Sequence, residues 1–354
     1  MYLSVHDAAP LPTRAPGDER GATRRRPARV AIIAGIFHLD ADAACPVPVP
    51  LRKFSQNWLA NDELAAALVR SIEPRPGDHF LEIGAGDGRL TRALLEHPVT
   101  VAAIEVDPRC CAALGELAEE TARRATGARL TIIEGDVLEV DPSGLSMRPE
   151  PQEPSDRSEP PGQPGPSDLS EPSGSSDRPT ATALGNESLR FVGNLPYALA
   201  SPILRWTVKH RRLVADAHYM LPAEVAERLT APPASSARGL LTVLVGWFFD
   251  AEVVRKLGPG AFRPPPKIDS AFLRLTPHPP PACAAPPAHR RAVVQAAFAQ
   301  RRKTLLRALG NAGWQRQAVA AALEAAGVPS KARAEDLGVE QFARLAEALP
   351  ELGT

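Results

Sequence analysis

The segment HFLEIGAGDGRL, residues 79–90, decides the fold class of this chain. It begins as a short apolar run, passes through Gly84, Gly86 and Gly88, and opens a stretch with the apolar spacing of a helix. A buried strand that turns through glycines into a helix is typical of a doubly wound α/β sheet. Glycines let the backbone approach a ligand closely, and a helix N-terminus favours a carboxylate. The segment therefore predicts both a fold and a ligand crevice.

The same alternation of strand and helix extends over residues 51–278, which we interpret as one domain with a parallel sheet covered on both faces. After residue 278 a Pro/Ala linker leads to three helical patterns, and residues 286–354 predict a small all-helical domain. The strand or strand–helix segments are VTVAAIEVD (99–107), RLTIIEGDVLEV (129–140), LRFVGN (189–194), AHYMLPAEVAERL (217–229), LLTVLVGWFFDAEVVRKLG (240–258) and AFLRLTPH (271–278).

Two stretches do not fit a packed fold. Residues 142–188 are acidic and rich in Pro and Ser, so they cannot bury enough apolar surface to become ordered, and we expect a disordered insert. Residues 1–50 predict a disordered extension. The run from Arg24 imitates a signal peptide, but Asp40 and Asp42 lie where a cleavage site should be neutral, which favours an extension or a start codon placed too far upstream. No segment is long enough to span a membrane, so we expect a cytoplasmic protein.

The zero net charge of the chain does not exclude a nucleic-acid partner. The 354 residues carry no formal net charge, with 41 basic and 41 acidic side chains. The basic side chains nevertheless concentrate at residues 205–212 and 290–307, and a local patch is what a phosphate backbone contacts. The four cysteines show no metal-binding spacing, so we predict no metal and a reducing compartment.

Acidic residues follow two of the predicted strands. Glu105 ends the second strand about twenty residues after the glycines, where an acid that binds ribose hydroxyls is expected. Asp136 follows Gly135 at the third strand and could accept a hydrogen bond from an adenine amino group. A dinucleotide would also fit such a turn. S-adenosylmethionine fits better, because nothing else in the chain supplies nicotinamide or hydride chemistry.

The motifs together resemble the small-subunit ribosomal RNA adenine dimethyltransferases. The resemblance spans about residues 54–349 and is interrupted by the acidic insert. It is carried by FSQNWL (54–59), LEIGAGDGRLT, IEVD, Gly135-Asp136, GNLPY, MLPAEVAERL, FRPPPKIDSAFLRL, AFAQRRKTLLRAL and KARAEDLGVEQFARL.

The resemblance implies a Rossmann-like class I methyltransferase domain followed by a helical RNA-binding domain. It implies transfer of methyl groups from S-adenosylmethionine to the exocyclic amines of two adjacent adenines. These adenines lie in the 3′-terminal hairpin loop of small-subunit ribosomal RNA, in a pre-ribosomal particle, and we expect the enzyme to be a monomer. The cofactor contacts that it implies are Asn57, Leu59, Gly84, Glu105, Asp136 and Asn194.

The turn GNLPY (193–197) is the predicted catalytic element. The Asn194 side-chain oxygen and the Leu195 carbonyl can accept the two protons of an adenine amine, which would aim its lone pair at the methyl group. Pro196 holds that carbonyl fixed, and Tyr197 offers a face on which the extruded base stacks. We expect Phe262 to cover the other face of the base.

We expect two clusters of basic residues, within residues 205–212 and 301–303, to contact RNA phosphates. Two segments depart from the usual family pattern and put RNA contacts in doubt: Leu221-Pro222-Ala223 and SSARGLLTV (235–243). The predicted RNA contacts are Arg205, Lys209, Arg211, Arg212, Arg301, Arg302 and Lys303.

Two alternatives remain open from sequence. One is the macrolide-resistance methyltransferase, which modifies large-subunit RNA with the same catalytic turn. The other is the mitochondrial transcription-factor relative, a nucleic-acid-binding protein on the same fold. NLPY in place of Asn-Ile-Pro-Tyr favours the small-subunit enzyme over the first, and the intact glycine turn disfavours the second.

Overall fold

A computed structural model describes residues 48–50, 56–145 and 188–352. Nearly all of the predicted extension at 1–50 and of the predicted insert at 142–188 therefore lies outside the described residues. Within the described part of the chain, no helix is long and apolar enough to cross a membrane.

The first half of the α/β domain repeats a strand–helix unit. A two-residue strand, Trp58–Leu59, comes before the first helix, and Pro108 at the first turn of the third helix suits a helix start because its ring fixes a helical φ. The elements are β1 (Trp58–Leu59), α1 (Asp62–Ile72), β2 (His79–Ile83), α2 (Arg89–Leu94), β3 (Thr100–Glu105), α3 (Pro108–Arg124) and β4 (Arg129–Glu134).

The second half adds five strands and three helices, and four further helices form the C-terminal domain. The elements are β5 (Leu189–Asn194), α4 (Ala200–Lys209), β6 (Val214–Pro222), α5 (Ala223–Leu229), α6 (Leu240–Gly246), β7 (Phe249–Leu257), β8 (Phe262–Arg263), β9 (Ser270–Pro277), α7 (Pro287–Ala299), α8 (Leu305–Asn311), α9 (Arg316–Ala325) and α10 (Val339–Ala348).

Seven strands form the central sheet in the order β4-β3-β2-β5-β6-β9-β7. The pairs from β4 to β6 are parallel, as predicted, whereas β9 runs antiparallel to both β6 and β7. The prediction of a wholly parallel sheet was therefore wrong for β9. A parallel neighbour of β7 needs a crossover, and only the two-residue β8 and a Pro-rich turn separate β7 from β9.

Helices cover both faces of the sheet, which confirms the doubly wound architecture. Leu81 and Ile83 of β2 pack in the core beneath α4, α5 and α6, whereas Phe80 packs in the core beneath α1, α2 and α3. This alternation follows from the two-residue period of a strand. Glu82 therefore points to the α1–α3 side, where it is buried.

The helical domain has its own core and is joined to the α/β domain through α6. Val243 and Trp247 belong to the core that α7–α10 build. The buried Arg238 guanidinium adds hydrogen bonds to the carbonyls of Leu337 (2.9 Å) and Ala231 (2.7 Å). Arg238 lies in the segment SSARGLLTV, so this departure from the family pattern forms the domain joint.

Arg190 lies at the amino-terminal end of the central strand β5, at the opposite end of the parallel strands from the glycine turn. Its guanidinium pairs with Asp78 and Asp216, each at 2.7 Å, and donates a 2.7 Å hydrogen bond to the carbonyl of Ile72 at the end of α1. Only 13% of the Arg190 side chain is exposed. One cation therefore satisfies two carboxylates and a helix terminus with little access to water.

We expect Arg190→Ala to lower the free energy of unfolding by roughly 2–4 kcal/mol, because it leaves two partly buried carboxylates without their cation. Arg123→Ala is the control: Arg123 pairs with Glu119 at 3.7 Å on an exposed helix face, where such a pair contributes well under about 1 kcal/mol. Guanidinium denaturation of both variants measures the difference. Equal losses would show that the Arg190 cluster is no more than a surface ion pair.

Candidate active site

The glycine turn between β2 and α2 depends on left-handed backbone conformations. Gly84, Gly86 and Gly88 have φ values of 69°, 58° and 76°, which residues with a Cβ rarely adopt. A Cβ on Gly86 would lie 2.8 Å from Nε1 of Trp58. The turn therefore packs directly against the indole, and its backbone stays open to the cavity beside it.

Glu105 connects the end of β3 to this turn. One carboxylate oxygen accepts from the backbone N–H of Gly86 (2.8 Å), and the other accepts from Val106 (2.9 Å) and Asp107 (2.8 Å). Burial raises the pKa of Glu105 above its usual value, although these three donors oppose the shift. The side chain is thus fixed in orientation at the rim of the cavity.

The catalytic turn follows β5, which lies next to β2. Gly193 is required there because a Cβ would lie 2.5 Å from the backbone oxygen of Ile83. The Asn194 amide nitrogen donates a 2.6 Å hydrogen bond to the carbonyl of Asn57, and the backbone N–H of Leu195 donates to Met220 at 3.0 Å. These bonds leave the Asn194 side-chain oxygen as an acceptor, and no hydrogen bond within the described residues uses the Leu195 carbonyl.

One cavity of about 290 Å³ lies at the carboxyl ends of β2, β3, β4 and β5. The residues predicted from the sequence to bind the cofactor and to position the reacting amine lie together in this cavity. Asp136 is held beside it by a hydrogen bond to its own loop, in which the Leu138 N–H donates to the carboxylate at 3.0 Å. The predicted residues that line the cavity are Asn57, Leu59, Gly84, Glu105, Asp136, Asn194, Leu195 and Pro196.

Two predicted catalytic residues do not line this cavity. Phe262 is 2% exposed and packs in the α1–α3 core, because β8 pairs with β1 and places Phe262 opposite Leu59. The structure therefore makes Phe262 a core residue in this conformation and not a wall of a base pocket. Tyr197 is half-buried beside the cavity, and its hydroxyl hydrogen-bonds the hydroxyl of Ser270.

Sequence reasoning missed several residues of the cavity wall. Glu82 and Asp87 lie within the quoted glycine motif, and Trp58 lies between the two predicted contacts of FSQNWL. Their proximity to the motif was the available signal. Arg89, which pairs with Asp87 at 2.7 Å, gave no signal, since a basic residue at the start of α2 also reads as a solvated helix face.

The predicted RNA contacts fall into two places. Arg205, Lys209 and Arg212 are exposed at the end of α4 and just after it, and half-buried Arg211 stacks over the ring of Phe248. Arg302 and Lys303 are exposed after α7, but Arg301 donates to the carbonyls of Ser236 (2.6 Å) and Arg238 (3.1 Å). Arg301 is therefore engaged in the domain joint.

The comparisons with known proteins agree with this geometry. The family model described as "Ribosomal RNA adenine dimethylase" matches residues 51–351. Proteins named ribosomal RNA small subunit methyltransferase A are 35% identical in Xylella fastidiosa and 37% identical in Xanthomonas oryzae pv. oryzae. Both alignments cover 84% of this chain and 96% of the relative.

Solved structures extend the likeness. A 23S rRNA methyltransferase is 26% identical with a TM-score of 0.52, and the match covers 83% of this chain and 99% of that one. A dimethyladenosine transferase from Plasmodium falciparum is 20% identical with a TM-score of 0.58, covering 81% of this chain and 95% of that one. The second match shows the fold alone.

Glu82 is the most perturbed carboxyl group of the cavity wall. Burial, reinforced by the charges of Glu105 and Asp87, raises its pKa from 4.5 to about 8, although a hydrogen bond from Thr91 opposes the shift. That bond, from the Thr91 hydroxyl, is 2.6 Å long. Glu82 is therefore neutral at pH 7, which avoids a second buried negative charge near Glu105.

We expect the stability of the wild type to fall, relative to that of Glu82→Gln, as the pH rises from 5 to 8. Over this range the unfolded chain releases the Glu82 proton while the folded protein retains it, so each pH unit favours unfolding by about 1.4 kcal/mol. The difference between the two free energies of unfolding should change by roughly 3–4 kcal/mol. Denaturation of both proteins at several pH values measures it.

Glu116→Gln, which removes a carboxylate from the exposed side of α3, is the control for the substitution itself. A constant difference between wild type and Glu82→Gln at every pH would contradict a neutral Glu82.

Proposed function

We propose a substrate and a mechanism for this chain, which belongs to the ribosomal RNA adenine dimethylase family. The proposed reaction transfers methyl groups from S-adenosylmethionine to the exocyclic amines of two adjacent adenines near the 3′ end of small-subunit ribosomal RNA, in a pre-ribosomal particle. The observation that carries it is the position of Asn194 in a cavity that three other strand ends share. Its amide nitrogen bonds Asn57, and its amide oxygen has no hydrogen bond to the residues that the structure describes.

Several polar side chains of the cavity are hydrogen-bond acceptors that suit S-adenosylmethionine. Glu105 keeps lone pairs for the ribose hydroxyls beyond its backbone bonds, and Asp136 can accept from the adenine amino group. The backbone at Gly84 lies open, since even an added Cβ would come no nearer than 3.9 Å to Pro196. Asn57 and Leu59 complete the wall. When bound, the cofactor supplies an electrophilic methyl group on a sulfonium centre.

Asn194 and Leu195 act on the amine by position. An adenine amine is a poor nucleophile because its lone pair is delocalised into the ring. The Asn194 oxygen and the Leu195 carbonyl accept hydrogen bonds from its two N–H groups and favour the geometry in which the lone pair is localised; a proton leaves the nitrogen as the methyl group arrives from the sulfonium. Asn57 fixes the amide so that its oxygen faces the amine, and a neutral amide avoids burying a charge there.

Tyr197 provides the stacking surface in this proposal. Its hydroxyl is anchored on Ser270 at the start of β9, so the ring keeps one orientation. An extruded adenine that stacks on it gains about 1–3 kcal/mol, which offsets the cost of removal from an RNA stack. Phe262 would contribute a second face only by leaving its packing against Leu59.

The relatives favour the small-subunit substrate over the alternatives. The proteins named small subunit methyltransferase A reach 35–37% identity over 84% of the chain, compared with 26% for the 23S rRNA methyltransferase. The complete glycine turn and the position of Asn194, with its amide nitrogen fixed on Asn57, favour an enzyme over a nucleic-acid-binding relative. We propose that residues 286–354 bind RNA and that the enzyme acts as a monomer.

We expect Glu105→Ala to weaken S-adenosylmethionine binding by roughly 1.5–4 kcal/mol, because one or two hydrogen bonds to a charged group are lost. Titration calorimetry measures it, and Glu105→Gln, which keeps the shape and one acceptor, should lose less. Since Glu105 also orients the glycine turn, thermal melting of both variants must show a folded protein. An unchanged affinity for the cofactor would overturn the ribose assignment.

We expect Asn194→Ala to cut the methylation rate by about a hundredfold or more, since one acceptor that acts on the reacting amine is lost. Binding to unmethylated small ribosomal subunits should change little, because phosphate contacts lie elsewhere. Mass spectrometry of digested RNA measures dimethyladenosine at two neighbouring adenines.

Asn311→Ala, on the exposed end of α8, is the matched control and should methylate at the wild-type rate. Full dimethylation by Asn194→Ala at that rate would refute the mechanism. Dimethylation of a single large-subunit adenine would leave the mechanism intact and overturn the substrate.

A further inference from the structure

A second concave surface lies between α4, α6 and α7, where the catalytic and helical domains meet. It is a groove of about 560 Å³, larger than the active-site cavity. Its floor is apolar and aromatic, with Trp206, Trp247 and Phe248 among the lining residues. Its basic lining residues come from both domains: Arg205, Lys209 and Arg211 from the catalytic domain, Arg290 and Arg291 from α7. We call it the junction groove.

The charge of the junction groove is uncompensated within the described residues. None of its lining side chains is acidic, and none of its five basic side chains has a carboxylate within ion-pair distance. The pKa of Arg211 is lowered by burial and by repulsion from Arg212 and Arg290. Like charges held together without a counter-charge favour the binding of a polyanion.

Aromatic rings hold two of the guanidinium groups in place. Arg211 lies 4.2 Å above the ring centre of Phe248, and Arg290 lies 5.5 Å from that of Trp247. Stacking of this kind lowers the entropy that each arginine loses when it contacts a phosphate. Trp247 is 4% exposed, and its indole nitrogen has no hydrogen-bond partner in the described part of the chain. This nitrogen is itself buried, so Trp247 contributes its ring, and not its N–H, to the groove.

The junction groove and the active-site cavity have two elements in common, α4 and the loop after β4, although no residue lines both. Leu199 and Ile203 line the cavity, and Arg205 and Lys209, farther along α4, line the groove. With a rise of about 1.5 Å per residue, Lys209 lies about 9 Å along the helix from Ile203. On the facing loop, Val137 lines the cavity and Leu138 lines the groove. A strand with one base in the cavity would thus reach the groove within a few nucleotides.

We infer that the junction groove holds the phosphate backbone of the substrate RNA strand beside the target adenines, and that Arg290 and Arg291 contact it from the helical domain. This inference rests on the proposed function and adds two residues to the RNA-binding set. Phosphates match the planar guanidinium fork, and the exposed Arg291 and Arg205 approach the strand from opposite domains.

The test measures binding of the full-length protein to unmethylated small ribosomal subunits at a series of salt concentrations. Each lost phosphate contact lowers the slope of log affinity against log salt by about 0.7 for single-stranded RNA. Arg290→Ala/Arg291→Ala should therefore reduce the slope by about 1.4 and weaken binding roughly 10- to 30-fold at 0.1 M salt. Replacement of both arginines by lysine should retain most of the slope.

Arg316→Ala is the control, since Arg316 is exposed in the same domain outside the groove, and it should leave the slope unchanged. If loss of Arg290 disturbs packing on Trp247, the single variant Arg291→Ala still tests the inference, with an expected slope change of about 0.7. An unchanged slope in the folded double variant would overturn it, as would weaker binding without a slope change, which would indicate a protein contact.

Wild-type methylation of the same subunits separates this inference from the proposed function. If the wild type methylates them and the slope does not respond to Arg290 and Arg291, only the groove is wrong. If the wild type binds S-adenosylmethionine but never methylates the subunits, the proposed substrate is wrong.

Discussion

The close approach of β5 to β2 is the constraint on which the active site depends. Only a glycine at position 193 lets the two strands meet, because a Cβ would lie 2.5 Å from the Ile83 backbone oxygen. In the sheet order β4-β3-β2-β5, the chain reverses direction across the sheet between these strands, and ligands of open α/β sheets bind at such a reversal. The carboxyl ends of β2 and β5 are thus placed side by side, which brings the glycine turn next to Asn194.

Two carboxyl groups at this site have different hydrogen-bond partners. Glu105 accepts three backbone hydrogen bonds that favour its charged form, whereas Glu82 has a single hydroxyl partner and a pKa of about 8. The charges of Glu105 and Asp87 add to the effect of burial in raising the pKa of Glu82. The neutral Glu82 therefore connects β2 to Thr91 of α2, whereas Glu105 is the acceptor that contacts the glycine turn.

Local sequence patterns predicted the strand ends and the turns of the site, because short-range signals specify them. Glycine spacing, the alternation of strand and helix, and the NLPY turn placed eight predicted residues in one cavity. Features that depend on long-range pairing were not predictable: the antiparallel β9 follows from a missing crossover, and the burial of Phe262 follows from the pairing of β8 with β1. The engagement of Arg301 likewise depends on carbonyls more than sixty residues away.

The domain joint explains why two surfaces on different domains can act on one strand. A rigid α4 fixes the distance from the cavity to its own basic side chains, but Arg290 and Arg291 belong to the helical domain. Their position relative to the cavity is set by the core shared through α6 and by the Arg238 hydrogen bonds to Leu337 and Ala231. Arg301 adds a bond to the backbone of Arg238 itself. The unusual segment SSARGLLTV therefore sets the position of Arg290 and Arg291 relative to the cavity, and under our inference for the junction groove it would influence RNA binding only through that position.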